Sequence, residues 1–571
     1  MKRILSFLLL LFISQLIFAQ NGDWILGHDV YHYVDRLDVL GYYRDGVDPE
    51  SGSDGGLPVE LKPYGRDKVA SWVKQASEER MSMPEKRWQE RMRVQTDDLL
   101  ADSTGVAGLW GTFGTNRRDL YHVNQPGFRM YVNPVLYLTG GLDRTNDPAA
   151  AQEALPLYNN LRGLVIRGSI GEKIGFHTEA GDFLARIPEF QYRRFRATGS
   201  VDGEEEIKQF GNVNGVNYFK TRGYLTAQAV PWLRIKLGKD RVQWGNGWQS
   251  LILSDQAADA YLLNLHASFW KLEYVSHFAQ FIDYFPGKND QEGDYPRKYG
   301  AFHALFYRPV PNVSVGVFES VIYSPVQPYG RRGFELQYLN PVIFYRSVEQ
   351  FVGSPDNAMI GVNMKVNLWN TMQLYGQGII DDFNFGNRVN GPGYWGNQWG
   401  LQGGIKYYNA FTIPTLDLQL EYNRVRPYVY QHFNVVSNYS QYGASLGHAA
   451  GGNVQDWNLM LQYHPLPGWN LQLVGSMLDQ GRDQGGKNYG WDITNTYQNR
   501  PQEYGNTVGQ GEAWSVQQLW GRLSWQVGAT DVYVEAEGRY RRESLGAATP
   551  AQSLSMMAGL RISAAPARVR W

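Results

Sequence analysis

Residues 358–368 read AMIGVNMKVNL. Ala358, Ile360, Val362, Met364, Val366 and Leu368 are apolar, and Asn363, Lys365 and Asn367 stand between them. A period of two places these sets on opposite faces of an extended strand. The alternation recurs where Leu416, Leu418, Leu420 and Tyr422 interleave with Asp417, Gln419, Glu421 and Asn423. It recurs again where Val532, Val534, Ala536 and Tyr540 interleave with Asp531, Glu535, Glu537 and Arg539. One oily face and one charged face suit a soluble sandwich as well as a membrane barrel. The ends of the runs separate the two. Trp232, Trp244, Trp248, Trp369, Trp395, Trp399, Trp457, Trp469, Trp520 and Trp525 crowd there. An indole with one polar edge prefers the lipid–water boundary, which gives membrane barrels their girdles. Trp571 follows the alternating run 554–562, an aromatic terminus typical of an outer-membrane last strand.

Working outward, short turns such as 171–173 and 466–468 alternate with long polar connectors at 141–160, 186–215, 240–258, 283–299, 324–357, 381–400, 426–456 and 478–515. Alternating short and long connections are expected of barrels with periplasmic turns and outer loops, and this spacing predicts about 16 to 18 strands. The expected fold is therefore all-β: a transmembrane antiparallel barrel over 105–571. A different pattern precedes it. Val30, Tyr33, Val34, Leu37 and Leu40 recur at helical spacing before Gly41, and Val69, Trp72, Val73 and Ala76 mark a second helix. Ser82 and Pro84 open a third, so residues 20–104 are expected to form a small N-terminal helical cap on the periplasmic side. Residues 1–19 read as a secretory signal: Lys2 and Arg3, an apolar core from Ile4 to Phe18, then Ala19. The address is then the cell outer membrane.

Composition narrows the chemistry. The 571 residues include no cysteine, 63 glycines and 37 tyrosines, with 54 basic against 55 acidic side chains. Without cysteine there is no disulfide framework, thiolate metal site or lipoprotein anchor. The charge balance argues against nucleic acid as a partner. The abundance of aromatics argues against disorder.

Three segments resemble the Wzi family of capsule-assembly proteins. The first is HDVYHYVDRLDVLG, 28–41, with ELKPYGRDKVASWV, 60–73. The second is LGKDRVQWGNGWQSLILSD, 237–255, whose turn reads Gly238-Lys239-Asp240-Arg241. The third is LQYLNPVIFYR, 336–346, with YGASLGHAAGGNVQDW, 442–457. The resemblance implies an outer-membrane barrel of about 18 strands with helices at its periplasmic mouth. It implies a lectin-like, non-enzymatic role in holding capsular or other surface polysaccharide, with no cofactor. Similar proteins in gliding bacteria carry a motility label, so docking of motility or secretion proteins is the alternative role. A porin-like channel and a barrel enzyme rank below it.

Catalytic signals are sparse. Gly443-Ala444-Ser445-Leu446-Gly447 matches a nucleophile-elbow pattern beside His448, but the motif needs a strand-to-helix turn over a parallel sheet. His28 and His32 are four apart and can share one helix face without making a metal site. Binding signals are richer, because sugars offer apolar faces to aromatic rings and hydroxyls to planar polar groups. The candidates are Trp244 and Trp248 with Asn246 and Gln249, Trp395 and Trp399 with Tyr394, and Tyr428 and Tyr430 near His448. Arg193, Arg194, Arg196 and Arg241 are the basic candidates for acidic sugars or outer-membrane lipid.

Overall fold

The computed structural model describes residues 22–566, apart from 48–54, 97, 99–104, 107–118, 148–149, 151–152, 284–294, 328–329, 332–334, 341–355, 383–391 and single positions at 172, 200, 202, 206, 212 and 529. The expected signal segment and Trp571 lie outside the described residues.

Eighteen antiparallel strands close into a barrel. They are β1 (Phe128–Thr145), β2 (Ala154–Ile170), β3 (Ile174–Arg186), β4 (Gly215–Val230), β5 (Leu233–Asp240), β6 (Ala260–Phe269), β7 (Leu272–Ile282), β8 (Arg297–Val310) and β9 (Val313–Tyr323). The second half comprises β10 (Asn357–Leu368), β11 (Met372–Asp382), β12 (Gln398–Tyr407), β13 (Leu416–Val425), β14 (Val454–Tyr463), β15 (Trp469–Arg482), β16 (Glu512–Gln526), β17 (Val532–Leu545) and β18 (Ala551–Ile562). Closure is made by β18 against β1, with Leu554 opposite Arg144 and Leu560 opposite Leu138.

The faces of β10 explain why the sheet curls into a membrane barrel. Ile360, Val362 and Met364 are 42%, 54% and 50% exposed, whereas Asn363, Lys365 and Asn367 are buried inside. A soluble sandwich buries the opposite set. The inversion runs around the wall, with Leu237, Val317, Leu401, Leu459, Leu519 and Met556 all exposed outward. An outward apolar band belongs in hydrocarbon, and closure leaves no strand edge unpaired there. Trp270, Trp369 and Phe411 stand exposed at short turns, as girdle residues do.

Two connectors differ from expectation. The polar stretch 141–160 is mostly strand, because β1 runs to Thr145 and β2 starts at Ala154. Residues 546–550 form a further, very short connector between β17 and β18. Polar residues thus lie within strands as well as between them, so polarity by itself does not mark a loop.

The helices close the short-turn mouth. They are α1 (Asp29–Val39), α2 (Tyr42–Gly46), α3 (Arg66–Gln75) and α4 (Met83–Thr96). The His28 ring caps α1 by accepting from the Val30 amide. Gly41, at φ 72°, turns the chain from α1 into α2, a backbone angle that favours glycine. Glu85 accepts from the Ser82 amide and hydroxyl at the start of α4. Val30, Val34, Leu37, Val69, Val73 and Met92 make one apolar core that also takes in Tyr408 of the wall. The underside is charged. Arg36 meets Asp417 of β13 at 2.5 Å and Glu85 at 2.7 Å. Lys365 of β10 meets Asp38 at 2.9 Å, and Lys406 of β12 meets Asp35 at 2.7 Å.

The connector 241–259 enters the lumen from the opposite mouth. Its residues Gln243–Trp244 pair with Leu61–Lys62 of the head in a two-stranded sheet. The Gly245 amide donates to the Glu60 carbonyl at 2.7 Å. Head and connector thus meet inside the barrel.

Candidate functional site

The long-connector mouth is built from 426–453 and 483–511, with the end of 383–397 laid against them. Several bulky side chains serve as internal posts. The Tyr430 hydroxyl donates to the Leu251 carbonyl at 2.8 Å, and the Tyr439 hydroxyl donates to Ile252 at 2.7 Å. Both rings join Leu251, Ile252, Leu446 and Ile493 in an apolar core over the connector. Burial pushes the Tyr430 and Tyr428 hydroxyls above the usual tyrosine range. Burial also holds His432 down to about 4, so its ring is neutral at neutral pH.

One group of rings lies at the surface of this plug. Trp395 packs on Tyr497 at 4.7 Å, Tyr394 at 5.8 Å and Tyr428 at 6.2 Å between ring centres. Tyr504 lies 5.5 Å from Tyr394. The Arg500 guanidinium sits 4.1 Å from the centre of the Trp395 ring and pairs with Glu503. Trp395, Tyr394 and Tyr497 are half-buried, Tyr504 is exposed, and Gln498, Asn499 and Gln502 around them are exposed. Backbone bonds stitch the two connectors together: Trp395 donates to the Glu503 carbonyl at 2.9 Å and Gly505 donates to Pro392 at 3.0 Å. Buried Asn506 locks the seam by donating to the Gly393 carbonyl. The result is a fixed aromatic platform rimmed by amide side chains.

The remaining sequence candidates divide. Trp244 is buried against Phe302 and Phe318 in the lumen, so it belongs to the core and not to a loop surface. Trp248 is half-buried in the lumen against Met460, Val474 and Trp520, and its amide donates to Glu421 at 2.6 Å. Trp399 lies on β12 with Arg426 over its ring. Tyr428, Tyr430 and His448 are buried, with polar atoms engaged in the plug. Arg241 is bound to Asp259 at 2.5 Å and to the Asp255 and Gly203 carbonyls, which anchors the connector. Arg193 and Arg194 sit on α5 (Glu189–Thr198), a helix inside the connector 187–214. Arg193 pairs with Asp147 at 2.7 Å, Arg194 reaches the Ala449 carbonyl, and Arg196 on the same helix is exposed. A cavity of about 170 Å³ lies beneath this helix, lined by Tyr137, Phe183, Tyr218, Gln191 and Lys220 among others.

The nucleophile-elbow pattern does not assemble. Ser445 is buried in a small hairpin and its hydroxyl accepts from the Gly447 amide. His448 binds Asp456 at 2.8 Å through one ring nitrogen and accepts from the Ala450 amide through the other. His28 and His32 also part company, one toward Asp531 and the other to Asp417. Among the described residues no group of three metal-ligating side chains converges.

A model of the family described as capsule assembly protein Wzi matches residues 188–539, more than half of the chain. The chain belongs to the Wzi family. Among solved structures, Escherichia coli Wzi is similar over 94% of this chain and 98% of its own, at 14% identity and a TM-score of 0.54. That protein is described as a carbohydrate-binding β-barrel of the outer membrane involved in group 1 capsule assembly. Pseudomonas aeruginosa OprD is a more distant likeness, at 11% identity, 75% and 94% coverage and a TM-score of 0.39. A search of curated protein sequences returned no match. The Wzi-family match covers the wall from β4 to β16, together with the connectors that build the aromatic platform. Trp395 was legible in the sequence. Tyr497, Arg500 and Tyr504 were not singled out, although Tyr497-Gln498-Asn499-Arg500 repeats the mix of ring and amide seen around Tyr394-Trp395.

Proposed function

We propose that this Wzi-family barrel binds and organises capsular or other surface polysaccharide at the platform of Tyr394, Trp395, Tyr497 and Tyr504, without catalysing a reaction. The short-turn mouth faces the periplasm and the long connectors face outward, following the usual orientation of such barrels. The observation that supports the reading is the platform itself: partly exposed rings, held rigid from below, with exposed amides at their edge. Rings take the apolar face of a pyranose, and Gln498, Asn499 and Gln502 supply donors and acceptors for its hydroxyls. Rigid rings lose little entropy on binding. The carbohydrate-binding description of the E. coli relative agrees with this reading. Exposed Arg196 on α5 provides a separate cation for acidic residues of the polymer. Each contact is weak, and a repeating polymer that engages many barrels is held firmly by effective concentration.

The test uses purified barrel in detergent and capsular polysaccharide shed by the same cells. Trp395→Ala and Tyr497→Ala are each expected to remove about 1 kcal/mol, roughly a fivefold loss of affinity for short oligosaccharides. In cells, the double variant retains less polysaccharide and sheds more at unchanged total synthesis. Unchanged oligosaccharide affinity in a folded double variant rejects the platform. Normal retention with impaired motility or secretion points to protein docking in its place.

A further inference from the structure

We propose that the outward face of the β16–β17–β18–β1 sector binds phosphate groups of an outer-leaflet glycolipid through Arg144 and Arg542. This rests on the outward apolar band and is independent of the polysaccharide reading. The band ends in a defined row here. Tyr540 of β17 lies opposite Leu554 of β18, which lies opposite Arg144 of β1. One pleat farther toward the long-connector mouth, Gln517 of β16 lies opposite Arg542, which lies opposite Gln552. Toward the other mouth the outward residues are Val534, Leu519 and Met556, all exposed and apolar. Both arginines are exposed. They sit where the wall passes from lipid-facing hydrocarbon to polar side chains.

Three features make this an anion site of the membrane surface. First, neither guanidinium is matched by a carboxylate among the described residues. Three acidic groups of the sector are engaged on the inner side: Asp147 and Glu543 bind Arg193, and Asp143 accepts from Ser555 and the Glu189 amide; Glu153, beside Ala154 across from Arg144, is exposed. An outward cation at the edge of hydrocarbon is unfavourable unless it meets water or an anionic headgroup. Second, the connectors that join β17 to β18 and β1 to β2, 546–550 and 146–153, are short, whereas 483–511, which enters β16, and 426–453 are long. A lipid headgroup beside β17, β18 and β1 therefore meets only short connectors from those strands. Third, the Cα atoms are two strands and one pleat apart, about 12 Å, a spacing at which each arginine can meet a phosphate of its own. Tyr540 and Gln552, whose side chains touch at 3.4 Å, stand between them as hydrogen-bonding partners for sugar hydroxyls of the headgroup.

The test measures glycolipid retained by the purified full-length barrel, by native mass spectrometry, after exchange into nanodiscs that contain bis-phosphorylated lipid A or its dephosphorylated form. Wild type is expected to retain the bis-phosphorylated lipid at least fivefold better than Arg144→Gln/Arg542→Gln, and better than it retains the dephosphorylated form. Arg144→Lys/Arg542→Lys should recover part of the difference, because the charge remains and the fork is lost. Arg87→Gln on the opposite mouth is the control and should retain lipid as wild type does. Equal retention by the double glutamine variant overturns the proposal, as does equal binding of dephosphorylated lipid or an equal loss in the control. Displacement of the lipid by millimolar inorganic phosphate overturns the lipid source and leaves a simple anion site. Should the double variant fail to insert, each single variant carries the test, with about half of the loss expected. Oligosaccharide affinity at the platform stays unchanged in every arginine variant, so failure here and failure of the polysaccharide reading are told apart.

Discussion

Arg36, Lys365 and Lys406 fasten the short-turn plug through buried ion pairs to Asp417, Asp38 and Asp35. At the other mouth, Tyr430, Tyr439, Asn453 and Asn506 fasten the two long connectors 426–453 and 483–511 through uncharged hydrogen bonds to backbone carbonyls, while ion pairs such as Arg241 with Asp259 hold the other connectors there. The difference follows from how each plug is attached. The outer connectors are continuous with the strands at both ends, so their closing entropy is small and their position is already set. The helical head precedes the barrel and must find one orientation inside a polar lumen. Paired charges reject a misplaced head, because any other docking leaves a charge buried without its partner.

The comparison can be broken most severely at Asp417. Asp417→Ala leaves the Arg36 charge buried beside Glu85 alone and costs about 3–5 kcal/mol of head docking. Limited proteolysis should then cleave the helices while the outer connectors stay protected. A head as resistant as wild type would mean that its apolar core is sufficient. Gly245 tests whether the plugs communicate. Its φ is +110° and a Cβ would stand 2.1 Å from the Gln377 side chain, so Gly245→Val should cost about 2–3 kcal/mol. Hydrogen exchange is expected to rise on both sides of the Leu61–Trp244 sheet. A rise on one side alone would make the plugs independent.

Acid sharpens the contrast. A neutral histidine lies at each plug, buried His432 outside and half-buried His464 on the β14–β15 turn against Trp88 of α4, with loss of solvent lowering them to about 4 and about 3. An unfolded histidine takes up its proton near pH 6.5, so both plugs are most stable above that pH and weaken as pH falls toward those values. The head then has a second loss. Burial by itself would raise Asp23, but Arg234 and Lys236 hold it at about 2, and Lys406 holds Asp35 below the ordinary range in the same way. Their contribution is complete above about pH 4 and fades as the carboxylates protonate. Region-resolved hydrogen exchange should show one acid step in connectors 426–453 and 483–511 and two at the head. A single shared step would remove the distinction. The smallest effect is expected from Tyr439→Phe, which deletes one uncharged bond for about 1 kcal/mol and should lower the thermal midpoint slightly with the head unaffected.

Much of this was legible in the chain. The period of two in 358–368 and 416–423, with aromatics at the run ends, indicated a barrel of 16 to 18 strands, and 18 are present. The helical spacing of Val30, Val34 and Leu37 indicated the head. The site was less legible. Trp244, Tyr428, Tyr430 and His448 looked like loop aromatics and ring donors, and each is an internal post. A Tyr in a long connector has the same local sequence whether the connector folds inward or out, because the choice depends on contacts hundreds of positions away.

Sequence by itself determined the strand period, the apolar and polar faces, the head helices and the family pattern, since these depend on side chains a few residues apart. Only the tertiary structure decided which face is wet. Lys365 and Asn363 are as polar as any surface residues, yet they are buried because closure of the wall turned them toward a head and a connector that arrive from opposite mouths. The aromatic platform has the same origin: Trp395 and Tyr497 come from connectors about a hundred residues apart, and the barrel's circumference brings them into contact.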